Sequence, residues 1–311
     1  IILSDDEQQA IGRTTTSDAE AYDYYLRGRQ FYHRGTRKGF LFALEMFRKA
    51  VEIDSDYALA YCGIADCCAY LVHLYGDTNA ALLAEAGRVS ERALELDPGL
   101  PQAHASRGFV LWLLEFKEQA VEEFEHAIRM DPSLVEAFYL YGRACFQGGE
   151  FEQAVRLFEG ACQAREHHEA RYFAAQTYSA MKQPDQANAA YSLAIRALEK
   201  HTQLHPDDAR AFTMGAVTLC RLGEREAGIR WAEMALGIDP DDPGIQYNVA
   251  CLYALEGETE RALRALEKAV AAGFAHRAWV ENDPDLDSLR EEPRFKNLPW
   301  RTTTGTEQHP A

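Results

Sequence analysis

Few residues in this chain could carry chemistry, and their spacing limits what they can do. His167-His168-Glu169 begins as the zinc motif H-E-x-x-H does, but Tyr172 stands where the second histidine should be. Side chains of adjacent residues point apart, so the histidine pair is expected at a solvated turn and no metal site is assigned. Cys62, Cys67 and Cys68 crowd one stretch without a C-x-x-C pair. On an apolar helical face such thiols act as small buried hydrophobes. The carboxylates of EQAVEEFEHA and SLREEPRF are plentiful. Acid–base work would need them in a pocket, and a solvated helix face accounts for them better. The sequence has no Gly-rich phosphate loop and no G-x-S-x-G. No catalytic residue, cofactor or metal ligand is assigned, and the chain does not read as an enzyme.

The elements that must position any site are helices. In EQAVEEFEHAI the apolar set Ala120, Val121, Phe124, Ala127 and Ile128 falls on one stripe at three- and four-residue spacing. The pattern also recurs. ELDPGLPQAHASRG and RMDPSLVEAFYLYG place Pro98 and Pro132 thirty-four residues apart, each followed by a glycine, Gly108 and Gly142. Further along stand Ala120 and Ala154, Phe124 and Phe158, and Ala127 and Ala161, in the same phase. Pro206 and Pro240 repeat the interval. Small residues let paired helices approach, the phenylalanines fill the gap beside them, and each proline stops a helix. Ser133 with Glu136 predicts a capping box at the start of the following helix.

This phased recurrence resembles the tetratricopeptide repeat. The resemblance implies an all-α fold, an α-solenoid of about seven helix hairpins with C-terminal capping helices. Residues 19–273 are expected to form the array and 274–300 the cap. Residues 1–18 read as a linker or the end of a preceding element, and 301–311 as a disordered tail. The second helix of the fifth unit should run about seven residues longer than usual, close to two turns, so its apolar face keeps its phase.

In this architecture first helices line a concave groove. The inward positions of the units hold Tyr22, Tyr25 and Arg29, then Phe109 and Trp112, then Tyr139, Arg143 and Phe146, then Phe173, Arg210 and Tyr247. Aromatics and arginines dominate interface hot spots. The groove is thus expected to take a peptide or helix of a partner, with an acidic residue beside Arg29 or Arg143. Some proteins of this kind clamp a chaperone's C-terminal carboxylate. Here the clamp positions hold Tyr25, Arg29, Gly63, Gln102 and Ser106, and the clamp residues are not there.

TSDAEAYDYYLRGRQFYHRGT, DYALAYCGIADCCAY and the ending DPDLDSLREEPRF further resemble the C-terminal repeat region of bacterial multidomain regulators. That implies the regulatory or sensor part of a signalling enzyme (cyclase or kinase) or transcription regulator, as an alternative to a free scaffold. The chain starts at Ile1 in mid-phrase, as a fragment or processed product would.

Bulk properties agree. The net charge of −17 is set against direct nucleic-acid binding and against docking on anionic membranes. No apolar run approaches the roughly 20 residues of a membrane span. Seven scattered cysteines suit a reducing, cytoplasmic setting. A homo-oligomer is compatible with all of this.

Overall fold

A computed structural model describes residues 16–75, 80–274, 280 and 284–298. Seven helix hairpins follow one another: α1 (Ala19–Tyr32) with α2 (Arg37–Ile53), α3 (Ala58–Tyr75) with α4 (Ala80–Leu96), α5 (Pro101–Leu113) with α6 (Lys117–Met130), and α7 (Val135–Gly148) with α8 (Phe151–Ala164). Then come α9 (His168–Ala180) with α10 (Pro184–Leu204), α11 (Ala209–Arg221) with α12 (Arg225–Ile238), and α13 (Pro243–Leu255) with α14 (Thr259–Ala271). A 3₁₀ turn (Pro284–Leu289) and the short α15 (Pro293–Lys296) close the described chain. Each first helix packs on its own partner and on the first helix of the next hairpin. The result is an α-solenoid.

The repeat chemistry explains the packing. A Cβ on Gly108 would fall 2.8 Å from Phe124, and one on Gly142 2.8 Å from Phe158. Both phenylalanines are fully buried, each stabilising the fold by about 1.5–3 kcal/mol. In the second unit Gly63 meets Phe47 of the hairpin before it in the same way. Among the described residues, turns within hairpins reverse through one left-handed residue: Gly35, Glu115, Gly149, Lys182, Gly223 and Gly257. The long second helix of the fifth unit is α10, at 21 residues. Leu286, Leu289 and Phe295 are buried against the last hairpin's core. Parts of the expected cap (275–279, 281–283 and 299–300), the tail 301–311 and most of 1–18 lie outside the described residues.

Two expectations change. Ser133 and Glu136 form no capping box: the α7 N-cap is Leu134, without a side-chain hydrogen bond. Asp131 Oδ1 instead accepts from Ser133 N (2.9 Å) and Ser133 Oγ (2.6 Å), and Glu136 faces Arg29 at 3.6 Å. Second, α3 has the length and apolarity of a membrane span, yet 67% of it is buried within the protein. Cys62, Cys67 and Cys68 lie on this helix and are buried, which is the packing role expected of them.

The solenoid curls until its first and last hairpins meet. Asp242, N-cap of α13, is buried. Its Oδ1 caps the helix through Gly244 N (2.9 Å) and Ile245 N (3.0 Å). Its Oδ2 accepts from Arg37 N (2.9 Å) at the start of α2 and from the Tyr75 hydroxyl (3.1 Å) at the end of α3. Lys38 lies 3.7 Å from Asp241 beside it. One carboxylate therefore joins segments 205 residues apart.

Candidate functional site

The curl frames a half-open cavity of about 700 Å³. The first helices build its wall, because the curvature turns their inward positions toward each other. Tyr25 and Arg29 come from α1, Cys62, Gly63, Asp66 and Tyr70 from α3, Gln102 and Ser106 from α5, and Glu136 and Tyr139 from α7. Glu169 of α9, Arg210 of α11 and the turn residue His167 complete it.

One side of the wall is a satisfied polar network. The Tyr139 hydroxyl donates to Glu169 Oε2. Arg210 reaches the same carboxylate at 3.1 Å. Arg143 donates to the Tyr139 hydroxyl (3.1 Å), contacts His73 Nε2 at 2.7 Å and lies 4.3 Å over the Phe173 ring. Burial alone would push the Glu169 carboxyl up. Arg210, His168, His167 and the Tyr139 hydroxyl together hold it well below the ordinary carboxylate range. Burial also pushes the Tyr139 phenol up to about 12, so it stays a donor.

The other side is not satisfied. Asp66 Oδ1 and Gln102 Oε1 are buried acceptors with no hydrogen-bond partner among the described residues. Burial raises Asp66 to about 7, against smaller opposing effects of the Ser106 hydroxyl and the Arg29 charge. Arg29 itself faces Glu136 and His33. His33 is held near about 4, by burial first and by Arg29 second. Two acceptors in want of donors, one of them an acid half-ionised at neutral pH, mark where a donor-bearing ligand would fit.

Of the residues picked from sequence, Tyr25, Arg29, Tyr139 and Arg210 come together on this wall. Arg143 and Phe173 brace Tyr139 from behind, and Phe146 packs against Phe173 and Phe151. Tyr22 is exposed and stacks on Tyr25. Phe109, Trp112 and Tyr247 are corrections: each is buried and none lines the cavity. Phe109 packs on Tyr70 and His73, and Tyr247 stacks on Phe274 at 4.4 Å. Tight curvature turns these inward positions into helix–helix contacts. His167 is no solvated residue either: its Nδ1 accepts from Ala170 N (3.1 Å) and caps α9. His168 stacks on His201, near Asp208, and these three could hold a metal.

Sequence reading missed Asp66, Glu136 and Glu169 as wall residues. Asp66 had a signal: it is the one charged residue in the apolar helix Ala58–Tyr75, and a lone carboxylate in a core helix must answer to something. Gln102 and Ser106 stood at the clamp positions and were set aside for lacking the clamp's residue types.

Seven stacked hairpins match IFIT1, solved as a monomeric mutant with Gppp-AAAA, at a TM-score of 0.64 and 14% identity, covering 86% of this chain and 62% of that one. The fold is the tetratricopeptide-type α-solenoid. A tetratricopeptide repeat protein from Parabacteroides merdae aligns at 16% identity and a TM-score of 0.49, over 87% of this chain and 99% of that one. The family model of anaphase-promoting complex, cyclosome, subunit 3 matches residues 118–192. A chloroplastic protein of Arabidopsis thaliana is 33% identical over 79 residues, 24% of this chain. The aligned stretch spans about a quarter, 24%, of that curated relative.

Proposed function

We propose that this solenoid is a non-catalytic docking module that takes a short basic segment of a partner polypeptide into its interior cavity. The pair of unpartnered acceptors, Asp66 Oδ1 and Gln102 Oε1, carries this reading. A lysine or arginine head supplies the donors both lack, and its charge favours the ionised form of Asp66. Two of the wall's three arginines already face carboxylates, Arg210 on Glu169 and Arg29 on Glu136, which leaves Arg165 as the third. A volume of about 700 Å³ lies within the roughly 300–1,000 Å³ of pockets that hold small ligands or a few residues. The net charge of −17 favours encounter with basic partners.

IFIT1 was solved with Gppp-AAAA, but the buried unpartnered atoms of this wall, Asp66 Oδ1 and Gln102 Oε1, are acceptors and offer a polyphosphate no donor. Within a longer chain the module would serve as the sensing part of a cytoplasmic bacterial regulator. That assignment rests on the resemblance of the quoted segments.

The test is a panel of fluorescein-labelled short peptides centred on lysine, arginine, glutamate or a neutral residue, read by polarisation. Basic peptides should bind the wild type and lose at least tenfold in affinity with Asp66→Asn. Equal binding of acidic and basic peptides would overturn the reading.

A further inference from the structure

Beside the cavity wall, three side chains from separate elements converge where the fifth hairpin meets the sixth. His168 opens α9, His201 lies in the last turn of α10, and Asp208 is the N-cap of α11. The two imidazoles stack with centroids 3.7 Å apart and an interplanar angle of 26°. His201 Nε2 is 2.8 Å from Asp208 Oδ2, and one donor atom from each residue lies within 4.8 Å of the others. The cluster is half-buried.

The histidine–aspartate bond accounts for His201 and Asp208. It does not account for His168, whose ring nitrogens make no hydrogen bond among the described residues. Asp208 is already oriented: its Oδ1 accepts from Ala211 N (2.9 Å), which leaves Oδ2 turned to the histidines. Such an outer hydrogen bond is how metal-binding carboxylates are usually held.

We infer that His168, His201 and Asp208 form a site for one divalent transition-metal ion, with zinc the fitting case. Two imidazoles and a carboxylate are a zinc donor set, and the open position is water's. Tetrahedral bonds of about 2.0–2.1 Å put ligand atoms about 3.3 Å apart. Atoms spread over no more than 4.8 Å then need to move by about 1.5 Å or less, and the stacked rings must turn so that their in-plane lone pairs converge, opening the His201–Asp208 hydrogen bond. The ion would staple α9, α10 and α11 together. Glu169 follows His168 directly and Arg210 lies two residues past Asp208, so the staple would also fix the satisfied side of the cavity wall.

The experiment is equilibrium dialysis of the tag-free chain against zinc chloride, with elemental quantification, alongside a Co²⁺ absorption titration and thermal melts with and without zinc. One ion per chain is expected, with a Tm rise of several degrees. His168→Ala should weaken binding at least tenfold and abolish the Tm rise. Asp208→Asn should do the same while keeping the helix cap, so a loss there is not a loss of folding. Co²⁺ should give d–d bands without a thiolate charge-transfer band, since none of the ligands is cysteine. Absence of saturable binding at micromolar zinc, undiminished binding in both variants, or a thiolate band would each overturn the assignment.

Discussion

Replacing Asp66 by asparagine should stabilise the unliganded protein at alkaline pH and leave it little changed at acid pH. Burial raises the Asp66 carboxyl from its ordinary 3.8 to about 7. The folded state therefore holds a proton that the unfolded state releases between these two values. Its contribution is fully present below about pH 4 and is lost as pH rises through 7, at about 1.4 kcal/mol per pH unit. From pH 5 to pH 8 the wild type should lose at most about 3 kcal/mol through this residue. Asp66 sits at a cavity wall rather than in a sealed core, so about half of that is expected. The substituted amide would not titrate. The gap between variant and wild type should widen by about 1.5 kcal/mol, or about 3–6 °C in Tm. Melts of both proteins by circular dichroism at pH 5 and pH 8 read this difference directly, and the other titrating groups cancel. A gap that is equal at the two pH values, or that favours the wild type at pH 8, would refute the claim that Asp66 is held against its charge.

Other perturbations follow from the same geometry. Glu169→Gln leaves Arg210 buried without its counter-charge and should cost about 3 kcal/mol in urea unfolding; adding Arg210→Met should restore part of it. Gly142→Val puts a side chain against Phe158, where even a Cβ sits at 2.8 Å, and should cost about 1–3 kcal/mol by the same assay. Lys182→Gly relieves a left-handed turn residue (φ 57°) and should add about 0.5–1 kcal/mol.

How far these features could be read in advance depends on their range. The hairpins were legible because every rule that makes them is local. Gly108 with Phe124 and Gly142 with Phe158 each lie within one unit, so spacing alone pairs them. The curl was not legible. It rests on Asp242 meeting Arg37 and Tyr75 across the whole array, and no periodicity within a unit encodes that contact. The same limit governed the site. Tyr139 and Arg143 read as free hot spots, yet Glu169, Arg210 and His73 occupy them. Replacing that pair would disturb the wall as well as any ligand, so Asp66 and Gln102 make the cleaner probes. His168 looked isolated because His201 and Asp208 lie 33 and 40 residues further on; the long α10 returns them to it.

The most direct measurement is calorimetric. The tightest basic peptide from the panel is titrated into the protein at pH 6, in two buffers of different ionisation enthalpy, and again with its lysine Nε-acetylated. Asp66 is mostly protonated at that pH, so an incoming ammonium should drive its proton into the buffer, and the acetylated peptide should neither bind tightly nor release one. Equal affinity for the acetylated peptide, with heats that do not depend on the buffer, would contradict the account.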